Sequence, residues 1–323
     1  MIKDLDFYNY ERIKLEQNEK LLLKRKHAFA FRILFFRSAF VELFVLMANA
    51  LMGNRIDGIS SLIDNDYYLA VVVASYTIVN VAIIIYSKTK LVPFECNREY
   101  VHEHQDRIVL LQLFLWLCVI NGMSYVLSAF FMKGTGLIRE VYTSGGNESS
   151  LLLCVYLCIV APVTEEYIFR KIVLNRFMDY GVRDCVFITS LLFALSHNNL
   201  FQLPFTFLSS IVFSYCSIYF GRIGYSIALH MTFNTIGVVW SLIGNIVDKQ
   251  INSERYFFTV MIIVSIFILL LLKGKKNDLT SFMRDNGKRN VRVELLKREL
   301  LMIPSMYLCL AYSITNIIVF ILK

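Results

Sequence analysis

Three short groups of polar residues lie inside or beside apolar stretches in the second half of this 323-residue chain. They are Thr164-Glu165-Glu166-Tyr167-Ile168-Phe169-Arg170, Phe193-Ala194-Leu195-Ser196-His197-Asn198 and His230-Met231-Thr232-Phe233-Asn234. An ionisable residue inside a membrane span costs about 2.5–3.5 kcal/mol on insertion scales, so each group is a candidate functional site. Together they supply carboxylates, imidazoles and an amide, which are groups that hydrolytic sites use.

Helix geometry assigns different roles to the two neighbouring carboxylates. Glu166 and Arg170 are four residues apart on one helix face, so we predict an ion pair between them. Glu165 is turned by about 100° from Glu166, at 3.6 residues per turn, and is therefore left over to face a cavity. His230 and Asn234 are also four residues apart and share a face.

Two kinds of chemistry are compatible with these residues. In one, Glu165 and His197 activate a water for attack on a peptide carbonyl, while His230 and Asn234 donate hydrogen bonds to the oxyanion. In the other, Glu165, His197 and His230 bind a metal ion such as Zn²⁺, with water in the open position. The chain has no HExxH motif, and the spacing alone leaves both alternatives open.

The composition indicates the class of protein that positions these groups. The chain is 57% hydrophobic and 18% charged, with four prolines and a mean hydropathy of +0.56. Most of it lies in apolar runs near the length that crosses a bilayer. We predict an all-α, polytopic transmembrane helix bundle with about 8–9 spans, at 33–52, 67–87, 108–132, 150–170, 184–200, 203–220, 225–246, 256–273 and 301–322.

The first predicted span is the weakest, because Arg37 and Glu42 interrupt it. Asparagines in the other spans, such as Asn80 and Asn316, are interpreted as packing contacts. The polar motifs come to a common depth most simply if one long helix runs from about 150 to 179, with a kink at Pro162.

The charges indicate orientation in a membrane. The net charge is +8, but Lys and Arg are spread between the apolar runs, which argues against a nucleic-acid partner. By the positive-inside rule the N-terminus is cytoplasmic, and the basic stretch 273–300 contacts membrane lipid. We divide the chain into a polar, basic segment 1–32, N-terminal membrane helices 33–149, a core 150–246, and C-terminal helices with a basic loop, 247–323.

The three motifs, in this order on a polytopic chain, resemble those of the CPBP (Abi) family. This family includes type II CAAX prenyl endopeptidases and bacteriocin-processing or immunity proteins, and the resemblance covers about residues 150–240. It implies that Glu165 is the catalytic base and Glu166 its partner carboxylate, held by Arg170. It implies that His197 helps to activate water, and that His230 and Asn234 stabilise the oxyanion. The family is described both as metal-dependent and as metal-independent, so the resemblance leaves zinc open.

The leading functional hypothesis is an intramembrane endopeptidase in a bacterial cell membrane. Its substrate is a membrane-associated peptide or a lipid-modified protein, processed as in CAAX maturation or as in bacteriocin maturation and immunity. The alternatives are a non-catalytic membrane scaffold or immunity factor, and a proton-coupled transporter in which Glu and His form a relay. A transporter would be expected to contain an inverted repeat, and the sequence shows none.

Overall fold

The computed structural model describes residues 2–51, 66–88, 106–135, 151–199, 202–246, 253–272, 301 and 303–322. Within these ranges all regular secondary structure is helical, and we number nine helices in chain order. They are α1 Ile2–Leu51, α2 Asp66–Lys88, α3 Asp106–Thr135, α4 at 151–180, α5 Val182–Leu195, α6 Leu203–Phe220, α7 Ile223–Ile246, α8 Ser253–Leu272 and α9 Pro304–Leu322. The predicted all-α class is confirmed.

Three of the described helices contain stretches long and apolar enough to cross a bilayer, at Leu69–Lys88, Leu151–Phe177 and Leu203–Phe220. Three shorter apolar stretches lie at Arg107–Met123, Ile223–Val239 and Thr259–Leu272. Helix α8 also exposes large apolar side chains, among them Ile263, Phe267 and Leu271. Large exposed apolar surfaces of this kind are unusual in soluble monomers and are consistent with contact with lipid.

Helix α1 joins the predicted polar segment and the first predicted span into one continuous helix. The two charged residues that weakened this span both have partners on other helices. Arg37 Nε donates a hydrogen bond to Asn80 Oδ1 on α2 at 2.9 Å. Glu42 Oε1 accepts one from Asn316 Nδ2 on α9 at 2.6 Å. The interpretation of Asn80 and Asn316 as packing contacts is therefore incomplete, because each is bonded to an ionisable group.

We predict that Asn316→Leu lowers the melting temperature of the detergent-solubilised protein, because Glu42 loses this donor in a partly buried position. Loss of one such partner costs about 1–3 kcal/mol. The Glu42→Leu/Asn316→Leu pair removes the donor and the acceptor together, and we expect it to melt closer to the wild type than the single variant does. Equal melting of the wild type and Asn316→Leu would contradict this role.

Helix α4 is the long helix that the depth argument required, and this prediction is confirmed. It is continuous from 151 to 180 and contains two π-helical stretches, Tyr156–Val160 and Tyr167–Leu174. Pro162 lies in the first turn of the α-helical segment Ala161–Glu166, between these stretches. Such local π-helical turns in α-helices occur frequently at functional sites, and here they flank Glu165 and Glu166.

Helix α5 is shorter than the predicted span 184–200. It has 14 residues and ends at Leu195, so it is about 21 Å long, less than the roughly 30 Å of a hydrocarbon core. His197 follows in a turn, and Asn198 takes a left-handed conformation with φ of 51°. A single residue of this kind ends a helix, and it places His197 just beyond the end of α5.

Candidate active site

Glu166 and Arg170 form a fully buried ion pair in the middle of α4. Glu166 Oε1 lies 3.0 Å from Arg170 Nη1, and both side chains have 0% exposure. The predicted pair, four residues apart on one helix, is therefore present. Arg170 Nη2 also donates to Ser210 Oγ of α6 at 2.9 Å and to the Ser210 carbonyl oxygen at 3.2 Å. The guanidinium thus joins α4 to α6 and fixes the position of the Glu166 carboxylate.

The same carboxylate oxygen also binds His230 of α7. His230 Nδ1 lies 2.9 Å from Glu166 Oε1. Because an ionised carboxylate only accepts hydrogen bonds, Nδ1 carries the hydrogen, and Nε2 of a neutral ring keeps its lone pair. This contact joins two motifs 64 residues apart and places both at the same depth.

Phenylalanine rings enclose the two histidines. Phe213 stacks on the His230 ring at a centroid distance of 4.5 Å. Phe193 meets the His197 ring at 4.8 Å and the His230 ring at 6.3 Å, in each case edge to face. The Arg170 guanidinium lies over both phenylalanines. Phe193 therefore contacts both histidines. The phenylalanine rings surround the histidines and the buried Glu166–Arg170 ion pair.

The tautomer of His197 follows from one hydrogen bond. Its Nδ1 lies 2.8 Å from the carbonyl oxygen of Phe193, one turn earlier. A carbonyl oxygen only accepts, so Nδ1–H is the donor, and Nε2 of the neutral ring is the available base. The Phe193 ring that contacts His197 also contacts His230. The second motif thus reaches the same site as the first and third.

Glu165 is paired, contrary to its predicted role as the carboxylate left over. Its Oε1 lies 3.6 Å from Nη2 of Arg37 on α1, and 13% of its side chain is exposed. The prediction was wrong on this point because positions within one helix carry no information about a cation that is 128 residues away along the chain. At 3.6 Å the pair is beyond hydrogen-bonding distance, so the carboxylate oxygens keep the capacity to accept hydrogen bonds from water.

Asn234 contacts the first π-helical stretch of α4. Its Nδ2 donates to the carbonyl oxygen of Leu157 at 2.9 Å. An amide nitrogen carries two hydrogens, so one N–H holds the side chain against α4 and the second is left to donate elsewhere. This geometry is compatible with the predicted oxyanion role.

Sequence reasoning missed three residues that support the site, Arg37, Asn80 and Ser210. The first had a signal, because an arginine in a predicted span is costly and marks a functional position. It was interpreted instead as a weakness of the first span. Ser210 had no comparable signal, since serine is ordinary in membrane helices.

The described residues form no ready-made cluster at the predicted three-ligand metal site. Among them, no three or more His, Cys, Asp or Glu side chains come together in a way that could hold a metal ion. The carboxylate beside His230 is that of Glu166, and it is already neutralised by Arg170. Glu165 lies beside Arg37. A Zn²⁺ site at Glu165, His197 and His230 stays a prediction, and the mechanism below relies on the side chains alone.

Comparison with known proteins gives one family match and partial matches to curated proteins. Residues 147–236 match the family model for Rce1-like type II CAAX prenyl endopeptidases, and this range contains all six predicted site residues. The membrane-embedded CAAX protease MroQ of Staphylococcus aureus (strain USA300) is 29% identical over 109 residues, which cover 32% of this chain and 44% of that protein. An uncharacterized 24.3 kDa protein of Escherichia coli is 29% identical over 141 residues, which cover 39% of this chain and 63% of that protein. The chain thus spans about half the length of these curated relatives. No solved structure matches it.

Proposed function

We propose that the protein is an intramembrane endopeptidase, because residues 147–236 match the family model for Rce1-like type II CAAX prenyl endopeptidases. It hydrolyses a peptide bond of a membrane-associated peptide or lipid-modified protein. The observation that carries the proposal is the hydrogen bond between His230 Nδ1 and Glu166 Oε1. With Phe193 packed against both histidines, this bond supports a site built from all three motifs.

The proposed reaction begins with a water held by Glu165 and His197. Both the Glu165 carboxylate and Nε2 of His197 are acceptors, so they orient the two water hydrogens and leave an oxygen lone pair for attack. Glu165 takes a proton as the water oxygen bonds to the scissile carbonyl carbon. The C–N bond then breaks, and the same proton goes to the leaving amine.

The oxyanion that forms in this step meets donors from α7. The second Nδ2 hydrogen of Asn234 is one of them, because the first is held by Leu157. His230 is the other when its ring is protonated, with Nδ1–H on Glu166 and Nε2–H towards the oxyanion. Glu166 then serves as the counter-ion of the imidazolium, as well as the partner of Arg170.

We propose a substrate of the CAAX type, in which a lipid anchor brings the scissile bond to the membrane. The matched family and the name of the staphylococcal relative support this choice over a bacteriocin peptide. The relatives also support a bacterial cell membrane as the location. The cytoplasmic N-terminus stays a prediction from the charges.

A pair of matched peptides tests the proposal. One has a farnesylated cysteine three residues before its C-terminus, and the other is the same peptide without the lipid. The purified protein in liposomes should release the C-terminal tripeptide from the lipidated peptide at a higher kcat/KM. Cleavage of the unmodified peptide alone would move the assignment to peptide maturation. Cleavage of neither, nor of a bacteriocin precursor, would favour the scaffold alternative.

We predict that His197→Asn lowers kcat by about 100-fold, because the water loses the ring nitrogen that orients it and a misplaced reactant can cost about 10²-fold. The variant should keep its melting temperature within a few degrees, because His197 lies in a turn after α5. His27→Asn is the matched control. His27 is a buried histidine that stacks on Phe177, and it lies on α1 at a distance along the helix from Arg37. Its substitution should leave kcat of the folded protein unchanged. Equal kcat for His197→Asn and the wild type would refute the role of His197.

A further inference from the structure

A closed ring of polar contacts joins three helices beside Glu165. Arg37 Nη2 lies 3.6 Å from Glu165 Oε1, and Arg37 Nε donates to Asn80 Oδ1 at 2.9 Å. Asn80 Nδ2 in turn donates to Thr164 Oγ1 at 3.1 Å. Thr164 precedes Glu165 on α4, so the ring returns to the backbone it started from. Its members come from α1, α2 and α4.

Each hydrogen bond of this ring pairs one donor with one acceptor. Asn80 uses its oxygen towards an obligatory donor and its nitrogen towards a hydroxyl, so turning the amide over would set its nitrogen against Arg37 Nε and break that bond. The Thr164 hydroxyl accepts from Asn80 and donates to the carbonyl oxygen of Ala161 at 3.2 Å. Asn80 is fully buried, and Arg37 and Thr164 are nearly so. A satisfied, buried network of this kind specifies one arrangement of its members.

The ring also balances the charges of the site. Glu166 has Arg170 and Glu165 has Arg37, so the two carboxylates meet two guanidinium groups. The Arg37 guanidinium is further held between the rings of Tyr76 and Phe169, at 5.8 Å and 5.9 Å from their centroids. Its position is therefore determined by α1, α2 and α4 together.

We propose that Arg37, held by Asn80, is the positioning residue that aims the Glu165 carboxylate at the water. This inference rests on the proposed function and extends the working site to helices outside the matched range 147–236. Arg37 and Glu165 are 3.6 Å apart, whereas Arg170 and Glu166 are 3.0 Å apart. This difference agrees with different roles for the two pairs. The shorter pair is structural, whereas the longer pair leaves the Glu165 oxygens able to accept hydrogen bonds from the water.

A double-mutant cycle tests the pairing without any substrate. Arg37→Gln leaves Glu165 as a carboxylate in an apolar bundle without its cation, and we expect the melting temperature to fall by about 5 °C or more. In a Glu165→Gln background the same change should cost less than half as much, because no carboxylate is left to neutralise. An equal fall in both backgrounds would overturn the proposal. This arm gives a result whether or not the protein cleaves the peptides chosen.

A kinetic arm separates positioning from simple stability. In the folded fraction at low temperature, Arg37→Gln should lower kcat by about 10- to 100-fold, as expected for a misplaced catalytic group, with KM within threefold of the wild type. Arg37→Lys keeps the charge and should recover part of kcat. Arg32→Gln, an exposed arginine on the same helix, should leave kcat unchanged. If Glu165→Gln abolishes cleavage and Arg37→Gln leaves kcat intact, the proposed function stands and this inference fails.

Discussion

Glu165→Gln is expected to reduce cleavage by about 10²–10⁴-fold, the full contribution of a general base. The amide has nearly the same shape as the carboxylate but accepts no proton from water. The substitution also leaves Arg37 with its bond to Asn80 and its contacts with aromatic rings. We therefore expect the protein to insert and fold, and the loss to appear in kcat more than in KM.

The matched control for this prediction is Glu42→Gln. Glu42 is a second glutamate at a membrane-helix interface, bonded to Asn316 of α9, and it lies outside the site. Its substitution should leave kcat unchanged. The measurement is peptide release by equal amounts of monodisperse protein in liposomes. If Glu165→Gln cleaves as fast as Glu42→Gln, Glu165 is not the base and the water is activated elsewhere.

The features that sequence reasoning predicted correctly are local ones. The pair of Glu166 and Arg170 follows from a spacing of four on one helix, and the span 203–220 coincides with Leu203–Phe220 because an apolar run bounded by Pro204 and Gly221 has clear ends. The long helix α4 followed from a different constraint. Three motifs had to reach one depth by tilt, by a stagger between helices or by one long helix, and the long helix was preferred because 170–179 contains no Gly or Pro.

The features that sequence reasoning missed depend on how the helices pack against one another. Nothing in the spacing of Arg37, Asn80 and Glu165 indicates that α1 and α2 bring the first two against α4. The end of α5 was also missed. It depends on the left-handed Asn198, a conformation usually adopted by glycine, and so the apolar run seemed to continue to residue 200. The prediction therefore placed His197 inside a helix, whereas it lies in the turn that follows α5.

The second large effect is expected from Arg170→Met. Methionine fills a similar volume, but Glu166 would then be a fully buried carboxylate left with His230 as its ion-pair partner among the described residues. Removing one member of a buried ion pair costs about 3–5 kcal/mol. The bonds from Arg170 to Ser210 would be lost as well. We expect the melting temperature to fall further than for any other single substitution proposed above, with loss of monodisperse protein.

The double variant Glu166→Gln/Arg170→Met decides whether charge or packing causes this loss. If the uncompensated carboxylate is the cause, replacing it by an amide should restore most of the melting temperature, since buried ion pairs exchanged for neutral groups are often tolerated. Cleavage should stay low in the restored protein, because His230 would lack the anionic partner that accepts its Nδ1 hydrogen. A double variant as unstable as Arg170→Met would instead show that the guanidinium acts through its contacts with Ser210, Phe193 and Phe213. The ion pair would then be a consequence of the packing of α4 against α6 and not its cause.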